Sequence, residues 1–452
     1  MGLQAVLLDA PKPANGFRDT AFTKNRDLPL HRWVPWIAGF SAQFVDDSLE
    51  KYIAVERNRN AWVLDPFAGV GTTLVQGFLH GLNVVGFEIN PYAALASKVK
   101  LEASSVSIHS FERHISAFER FMRGKCPDYA ECEWEPHSRP PEGFKGRTQL
   151  FNPRVERRVL TSLDFIERID EPLIADLFRL ALGSIMVSVS NYSYEPSLTR
   201  RTAVDKPAIE DAPVAAKLSF KLRLMLEDVE WLQKHMSGAG PLPKRTVVSG
   251  SFFSAHKTLR RISIVDLVVT SPPYLNNYHY PRNTRPQLHW LGLASGPGYS
   301  GAREDESFGK FWQTVRGRPP IALSFRLAEL QDVIETVRGL NTQKGSYGGP
   351  GWANYIATYF NDTHRFCDIL CSLLRPRAVA VVVLGNSIIQ GVEVKTDQFF
   401  GRIAELCGLT YENNFLIRKK RTGNSIIQSS VRVDKAAHKT ALYESAIILR
   451  KE

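Results

Sequence analysis

The chain has 452 residues, enough for about three domains of ordinary size or for fewer, larger α/β units. Hydrophobic residues make up 44% of it and charged residues 23%, which excludes a disordered or fibrous chain, and no apolar run approaches the ~20 residues that a membrane span requires. The net charge of +11 suggests a polyanionic partner, and the excess lies mainly in two blocks, +4 over 246–302 and +6 over 418–452.

Seven short apolar runs predict β-strands, each followed by a turn and a helix-like segment. They are 61–65, 83–88, 245–250, 263–270, 378–385, 410–418 and 441–449. This alternation predicts a parallel sheet covered on both faces, so the predicted fold class is α/β. After the second run, Asn90 and Pro91 have the residue types of a helix cap and a first turn, and they predict a helix over 91–100.

Two insertions interrupt the alternation. The first, 105–245, is predicted to be mostly helical because its apolar residues recur at helical spacing. The second, 281–352, ends in a glycine-rich stretch from Gly345 to Trp352 that predicts a mobile loop. We therefore expect a core formed by 1–104 and 245–452, with the helical insertion as a candidate recognition region.

The cysteines and the N-terminal segment indicate the cellular compartment in which we expect the protein. The five cysteines form an odd set without a Cys-x-x-Cys pair, so the sequence predicts neither a disulfide framework nor a metal site. The N-terminal segment lacks the basic residues that precede the apolar stretch of a signal peptide. A reducing cytoplasm fits these features best.

A glycine-rich turn after the first strand predicts a cofactor pocket. The strand ends in Asp65, and the turn holds Gly69 and Gly71, where the backbone can approach a ligand closely. The second strand ends in Glu88, a position from which a carboxylate accepts the hydroxyls of a ribose. A dinucleotide fingerprint needs a small residue where Leu74 stands, and no phosphate-cradling G-x-x-x-x-G-K-[ST] occurs. S-adenosylmethionine, which needs no pyrophosphate cradle, therefore fits better than a dinucleotide or a nucleotide.

A second motif, Ser271-Pro272-Pro273-Tyr274, follows the fourth strand directly. Its two prolines fix the backbone and remove two N–H donors, so the turn presents the serine hydroxyl and backbone carbonyls as acceptors. Acceptors beside an aromatic ring suit the exocyclic amino group of a base that stacks on that ring. The alternative interpretation is a rigid turn in which the tyrosine only fills space.

The two motifs together resemble those of the amino-group DNA methyltransferases. The segment from Asp65 to Thr73 is similar to the cofactor motif I, and the segment from Thr270 to Tyr274 is similar to the catalytic motif IV, in the unpermuted order. The segment from His31 to Ser41 resembles motif X, which in that family closes over the methionine end of the cofactor. The resemblance covers about 30–104, 245–280 and 376–450. It implies a Rossmann-like, seven-stranded fold and S-adenosyl-L-methionine as the cofactor.

The resemblance also implies site residues. The catalytic residues are Ser271, Pro272, Pro273 and Tyr274. The cofactor-binding residues are Phe40, Ser41, Asp65, Phe67, Gly69, Gly71, Thr72, Thr73, Glu88 and Ser251. Ser251 stands where the family often has an acidic residue that accepts a hydrogen bond from the cofactor adenine.

The activity implied by the resemblance is site-specific methylation of double-stranded DNA. Serine before Pro-Pro-Tyr favours N4 of cytosine, within a restriction-modification or related defence system whose endonuclease or other proteins are possible partners. Methylation of adenine N6 in DNA and of an exocyclic amine in RNA are the enzymatic alternatives. The non-enzymatic alternative is a nucleic-acid-binding protein that retains the fold.

Basic residues near these motifs are predicted to bind nucleic acid. They are Arg200, Arg201, Arg282, Arg285, Arg418, Lys419, Lys420 and Arg421. We expect the cluster 418–421 to contact phosphates and the two insertions to read the bases. The first insertion contains Asn191 to Tyr194 followed by Arg200 and Arg201, which predict a polar, aromatic and basic loop suited to phosphates or base edges.

Overall fold

The computed structural model describes residues 16–36, 39–53, 60–142, 149–195, 197–238, 240–259, 265–275, 280–294, 304–420 and 442–452. The strands are β1 (Trp62–Asp65), β2 (Asn83–Glu88), β3 (Tyr192–Tyr194), β4 (Leu198–Arg200), β5 (Arg245–Ser249), β6 (Val265–Thr270), β7 (Leu374–Gly385), β8 (Ser387–Ile389), β9 (Val392–Val394), β10 (Leu409–Lys420) and β11 (Leu442–Lys451). The α-helices are α1 (Ala42–Tyr52), α2 (Thr72–Leu79), α3 (Pro91–Glu102), α4 (Ile108–Lys125), α5 (Pro153–Ile166), α6 (Pro172–Met186), α7 (Val214–Met236), α8 (Ala255–Thr258), α9 (Tyr280–Asn283), α10 (Arg285–Trp290), α11 (Trp312–Val315), α12 (Ala328–Arg338), α13 (Gly349–Leu373) and α14 (Thr396–Leu406). Short 3-10 helices include His31–Trp33, Phe252–Ser254 and Thr342–Tyr347.

One seven-stranded sheet organises the molecule, in the order β10-β11-β7-β6-β1-β2-β5. The strands β5, β2, β1, β6 and β7 run parallel, and β11 lies antiparallel between β7 and β10. All seven predicted strands are confirmed, with small shifts at their ends. The sheet is the Rossmann-like α/β sheet that the sequence predicts.

The two faces of the sheet bury two separate hydrophobic clusters, because successive side chains of a strand point to opposite faces. Val63 and Leu267 belong to the cluster that includes residues of α1 to α7. Leu64 and Val268, their neighbours in sequence, belong to the cluster that includes residues of α13 and α14. The predicted coverage on both faces is therefore present.

The helical prediction for 105–245 is confirmed by α4 to α7, whose apolar faces share one cluster with α2 and α3. The insertion is thus built onto the same face of the sheet as the first helices. The segment expected to be a loop near Asn191 is instead a short hairpin, in which Tyr192 of β3 pairs with Arg200 of β4.

The expectation of a mobile loop from Gly345 to Trp352 is wrong. The first part lies in the 3-10 helix ending at Tyr347, and α13 begins at Gly349. A Cβ atom on Gly349 would lie 2.0 Å from the carbonyl oxygen of Val337. Gly348, Gly349 and Gly351 therefore permit a close approach to carbonyls of preceding residues.

The expectation of no disulfide is also wrong. Cys126 and Cys132 are joined, with Cα atoms 4.1 Å apart. The chain reverses direction after α4, where the Trp134 N–H donates to the Lys125 carbonyl at 3.1 Å, and this turn brings the two cysteines together. The sequence spacing alone did not reveal that turn.

Among the described residues, one segment, 172–189, has the length and apolar composition of a membrane span. It comprises α6 and the turn after it, and 67% of its residues are buried in the protein. Leu177 and Phe178 have no exposed surface and belong to the cluster formed with α3 and α7. This helix therefore uses its apolar surface in the core.

Gly86 of β2 lets α2 lie close to the sheet, because a Cβ atom there would be 2.5 Å from Cδ1 of Leu74. We expect Gly86→Ala to lower the free energy of unfolding by about 1–3 kcal/mol, the usual cost of overpacking. The matched control is Gly124→Ala in α4, where a Cβ would meet no atom within 4 Å, and it should stabilise the helix by about 0.5–1 kcal/mol. Chemical denaturation compares the two, and equal effects would contradict the close approach.

Candidate active site

Parallel strands bring their carboxyl ends to one edge of the sheet, and the predicted motifs meet there. Asp65 ends β1, Glu88 ends β2 and Thr270 ends β6. Because β11 is antiparallel, its beginning lies at the same edge, where Glu444 pairs with Gly385 of β7. We call this the catalytic edge, as the predicted cofactor turn and the predicted catalytic turn both start from it.

The glycine turn after β1 is held in place from α3. Gly71 caps α2 in the left-handed region at φ 86°, and a Cβ on it would lie 2.9 Å from Oγ of Ser97. The same hydroxyl donates to the Gly69 carbonyl at 2.8 Å, and Lys100 Nζ donates to the Val70 carbonyl at 2.8 Å. Burial lowers the pKa of Lys100 to about 7. Sequence reasoning missed both α3 residues, although they lie one helical turn apart, which could have indicated a shared face.

Asp65 connects the cofactor turn to the catalytic strand. Its Oδ1 accepts from the Thr270 hydroxyl at 2.7 Å and from the Phe67 N–H at 3.0 Å, while Oδ2 is buried and has no hydrogen-bond partner among the described residues. Burial raises the pKa of this carboxyl to about 6. Thr73 of α2 adds a second link, donating to the Val269 carbonyl at 3.0 Å. The two predicted motifs therefore form one hydrogen-bonded unit.

Glu88 faces the glycine turn. It accepts from the backbone N–H groups of Gly69 and Asn90, each at 2.7 Å. Burial raises the pKa of the Glu88 carboxyl to about 7. Each carboxylate oxygen has a second lone pair, so the group can also accept hydroxyl donors from a ligand. The Asn90 side chain caps α3 and donates to the Thr284 hydroxyl at 2.7 Å, which ties the second insertion to this pocket.

Three further residues predicted to bind the cofactor, Phe40, Ser41 and Thr72, lie at or next to the beginnings of α1 and α2. Ser41 caps α1 by accepting from the Phe44 N–H at 3.1 Å, and its hydroxyl donates to the Asp19 carbonyl at 2.6 Å. Phe40 is buried and packs edge-on against Phe44. Thr72 is the first residue of α2 and is 5% exposed.

Phe67 and Ser251 lie towards the other face of the sheet. The Phe67 ring stacks on Phe366 with centroids 5.5 Å apart and meets Phe308 edge-on. Ser251 accepts from a backbone N–H of the following 3-10 turn and donates to the Glu306 carbonyl at 2.6 Å. Its hydroxyl proton is therefore already used, while its oxygen retains acceptor capacity.

The segment that resembles motif X is held by the helical insertion. Asp228 of α7 accepts from the indole N–H of Trp33 at 2.8 Å and pairs with the Arg32 guanidinium at 2.6 Å. Further along, the indole nitrogen of Trp36 would lie 3.5 Å from a Cβ on Gly69. The Trp36 side chain thus lies against the glycine turn. Asp228 was not foreseen, because it is about 195 residues away in sequence.

The Ser-Pro-Pro-Tyr turn is fixed by two tyrosines of α13 spaced one helical turn apart. Tyr359 donates to the Pro273 carbonyl at 2.9 Å, and Tyr355 donates to the Leu275 carbonyl at 2.8 Å. Within the described residues, neither the Ser271 hydroxyl nor the Pro272 carbonyl has a hydrogen-bond partner. The turn therefore presents these two acceptors, while the carbonyls of Pro273 and Leu275 are occupied.

The two insertions meet beside this edge. The Tyr194 hydroxyl donates to the Asn283 carbonyl at 3.1 Å, and the Leu198 N–H donates to the Asn283 side chain at 2.7 Å. A cavity of about 240 Å³ lies between them and the motif X segment. Ser193 and Gln287 line it, and their buried Oγ and Oε1 atoms have no hydrogen-bond partner in the part of the chain that the structure describes. These two insertions therefore form one structural unit.

The predicted nucleic-acid contacts of the insertions are spread around this unit. Arg200 and Arg282 are exposed, and Arg285 is half-buried in α10. Arg201 lines the cavity and donates to the Pro207 carbonyl at 2.7 Å.

The C-terminal basic cluster lies at the catalytic edge, because β10 ends there beside the start of β11. Lys419 pairs with Tyr443 in the ladder and has an exposed side chain, and Lys420 is the last residue of β10. Arg418 differs from them: its guanidinium donates to Glu444 at 2.5 Å. Arg421 lies outside the described residues. No group of three or more His, Cys, Asp or Glu side chains is placed to hold a metal ion in the part of the chain that the structure describes.

Comparison with known proteins places the chain near DNA-modifying enzymes. A family model described as DNA methylase, of the N6/N4 methyltransferase type, matches residues 13–98. Type II methyltransferase M.BsoBI of Geobacillus stearothermophilus is 22% identical over 447 residues, covering 90% of this chain and 83% of that protein. Type II methyltransferase M.MvaI of Kocuria varians is 27% identical over 237 residues, covering 51% of this chain and 50% of that protein.

Among solved structures, the chain is similar to the rRNA methyltransferase aviRa from Streptomyces viridochromogenes. The TM-score is 0.30 with 12% identity, covering 92% of this chain and 87% of that chain. At this TM-score, the fold assignment depends on the strand order described above and not on the comparison.

The Glu88 carboxylate should make cofactor affinity depend on pH. The charged Glu88 carboxylate accepts ribose hydroxyls better than the protonated form does. Because the pKa of Glu88 without ligand is about 7, S-adenosylmethionine binding should weaken as the pH falls below about 7. The loss should be at most about tenfold per pH unit. Glu88→Ala should weaken binding at pH 8 by about 1–3 kcal/mol and remove this pH dependence. Calorimetry from pH 6 to about pH 8 measures both effects, with Glu102→Ala at the far end of α3 as the control. An unchanged affinity in Glu88→Ala would mean that the ribose partner lies elsewhere.

Proposed function

The chain belongs to the amino-group DNA methyltransferases, and from this premise we propose that it methylates N4 of cytosine at a specific sequence in double-stranded DNA. The observation that carries this proposal is the pair of available acceptors, the Ser271 hydroxyl and the Pro272 carbonyl, beside the Tyr274 ring. They lie at the strand edge shared with the cofactor turn, which Asp65 and Thr270 join by a hydrogen bond.

S-adenosylmethionine is the methyl donor of this family, and the residues of the pocket fit it. The buried Oδ2 of Asp65 has no partner within the described residues, as expected where a ligand or an ordered water completes the shell. Gly69 and Gly71 have positive φ values, which glycine adopts without strain, so the turn can follow a tight path that other residues would not permit. Glu88 is placed to accept ribose hydroxyls. When bound, the cofactor supplies an electrophilic methyl group.

The chain's own groups prepare the base for attack. Ser271 and the Pro272 carbonyl accept the two hydrogens of the exocyclic amino group, which directs the nitrogen lone pair out of conjugation with the ring. Tyr274 stacks against the base after it has left the duplex. Rigid placement matters because the reaction needs alignment of the attacking nitrogen with the methyl group. Tyr355 and Tyr359 contribute this rigidity by fixing the carbonyls of the turn.

The choice of cytosine rests on the serine that precedes Pro-Pro-Tyr, by resemblance to N4-cytosine enzymes. Adenine N6 is the second candidate, since the same acceptors suit its amino group. Mass spectrometry of nucleosides from DNA and RNA incubated with labelled cofactor separates these outcomes. The proposal expects N4-methylcytosine in DNA. N6-methyladenine would overturn the base assignment, and a label found in RNA alone would overturn the DNA substrate.

A restriction-modification role follows from the relatives, which are named Type II methyltransferases. We infer that this chain protects its target sequence in the cytoplasm from a cognate endonuclease. DNA isolated from cells that express the chain should resist cleavage at that sequence and nowhere else.

Target recognition is proposed to reside in the unit formed by the two insertions. The hairpin of β3 and β4 contacts the end of α9, because the Tyr194 hydroxyl donates to the Asn283 carbonyl. Arg200, Arg201 and Arg282 then border a surface next to the catalytic edge. A single rigid unit suits base reading, because the register of several contacts is fixed together.

Phosphate contacts are assigned to Lys419, Lys420 and Arg421. Arg418 is already paired with Glu444 and lies 3.9 Å from Asp19, so its charge is largely compensated within the protein.

Loss of the base acceptor should affect chemistry and spare cofactor binding. We expect Ser271→Ala and Tyr274→Ala each to lower the methyl-transfer rate roughly 100-fold or more, the range for a lost catalytic proton-binding group. Calorimetry should show unchanged S-adenosylmethionine affinity. Ser372→Ala, at an exposed helix position, serves as the matched control. A folded Ser271→Ala protein that loses cofactor binding equally would contradict the division of roles.

Neutralising the basic cluster should weaken binding to cognate and random DNA alike. Each lost phosphate contact lowers the slope of log affinity against log salt by about 0.9. We therefore expect a shallower slope in Lys419→Gln and an unchanged slope in Lys244→Gln, a control at the opposite edge of the sheet. Binding titrations over a salt series measure this. If Lys419→Gln keeps its slope or loses sequence discrimination, the phosphate assignment fails.

A further inference from the structure

Glu444 is a buried carboxylate at the catalytic edge that the sequence motifs do not include. It is 4% exposed, and it pairs in the ladder with Gly385 of β7 and with Arg418 of β10. Its Oε1 accepts from the Tyr274 hydroxyl at 3.0 Å. Its Oε2 accepts from the Thr20 hydroxyl at 3.0 Å and from Nε of Arg418 at 2.5 Å. Four segments of the chain therefore meet on one carboxylate.

The partners of Glu444 explain how a buried carboxylate is stabilised at this position. A buried carboxylate is costly unless it is paired and hydrogen-bonded. Here Arg418 supplies the opposite charge, and Thr20 and Tyr274 supply hydroxyl donors. The Arg418 side chain is 33% exposed, and its nearest other acid is Asp19. The guanidinium is therefore oriented towards the protein by two acids.

The hydrogen bond to Glu444 restrains the side chain of Tyr274. The position of a tyrosine hydroxyl depends on the backbone and on the first side-chain torsion, so a hydrogen bond at the hydroxyl restrains that torsion when the backbone is also fixed. The backbone beside Tyr274 is fixed by the bonds of Tyr359 to Pro273 and of Tyr355 to Leu275. The bond to Glu444 then sets the position of the ring. Stacking on a base is favoured when the ring is already in this position before the base arrives.

We propose that Glu444 is a positioning residue that sets the position of the Tyr274 ring for stacking on the target base, with Arg418 holding the Glu444 side chain in place. This inference rests on the proposed function, because it assigns the ring a base to stack on. It also gives Arg418 a role inside the protein in place of the phosphate contact expected from the sequence.

The test uses the full chain and single-turnover methylation of cognate DNA. Tyr274→Phe removes only the hydroxyl, and we expect it to lower the rate by about tenfold or more, since small misplacements at a reacting centre are costly. Melting temperature and the affinities for S-adenosylmethionine and DNA should be unchanged. The matched control is Tyr443→Phe, which removes a hydroxyl bond to the Asp397 carboxylate at 3.1 Å from the neighbouring position of β11. This control should react at the wild-type rate.

A double-mutant cycle identifies the partner. Glu444→Gln should show the same loss as Tyr274→Phe, and the double variant should lose no more than either single variant, because the two act through one bond. Arg418→Gln should lower the rate and leave the salt dependence of DNA binding unchanged. If Glu444→Gln does not fold, Tyr274→Phe and Arg418→Gln still decide the question.

The possible results distinguish a failure of the role assigned to Glu444 from a failure of the proposed function. Three results would overturn the positioning role alone. They are a wild-type methylation rate in Tyr274→Phe, a rate loss in the double variant equal to the product of the two single losses, and a shallower dependence of DNA affinity on salt in Arg418→Gln. A wild-type chain that methylates no DNA would overturn the proposed function and this inference with it.

Discussion

The buried hydrogen bond from the Thr270 hydroxyl to Asp65, 2.7 Å long, joins the ends of two adjacent parallel strands, and the site depends on it. β1 and β6 are neighbours in the middle of the sheet, although about 200 residues separate them in sequence. From β1 the chain enters the glycine turn, and from β6 it enters the Ser-Pro-Pro-Tyr turn. The bond therefore fixes the distance between the cofactor pocket and the base acceptors.

Around this junction, each functional turn is held by groups from outside its own motif. Ser97 and Lys100 bind the carbonyls of the glycine turn, and Tyr355 and Tyr359 bind those of the catalytic turn. Asp228 of the helical insertion holds the segment that lies against Gly69. Because the insertion shares its hydrophobic cluster with the sheet, we expect recognition and cofactor binding to be mechanically connected.

Local patterns predicted much of this arrangement. The apolar strands, the Asn90 cap and the two motifs are each encoded by residues close together in sequence, so their positions follow from backbone rules. The supporting contacts are not local: Glu444 reaches Tyr274 from 170 residues away. No periodicity indicates such a contact. The stretch from Gly345 to Trp352 shows the converse error, since glycine permits close approach as well as flexibility, and only the neighbouring carbonyls decide which applies.

The central claim is that the glycine turn and the Ser-Pro-Pro-Tyr turn form one site. A crystal structure of the chain with sinefungin, a stable analogue of S-adenosylmethionine, tests it most directly. The account predicts that the ribose hydroxyls lie on the Glu88 carboxylate and that the end of the analogue corresponding to the transferable methyl faces Ser271 and the Pro272 carbonyl. An analogue bound away from Glu88, or one whose reactive end faces away from Ser271, would contradict it.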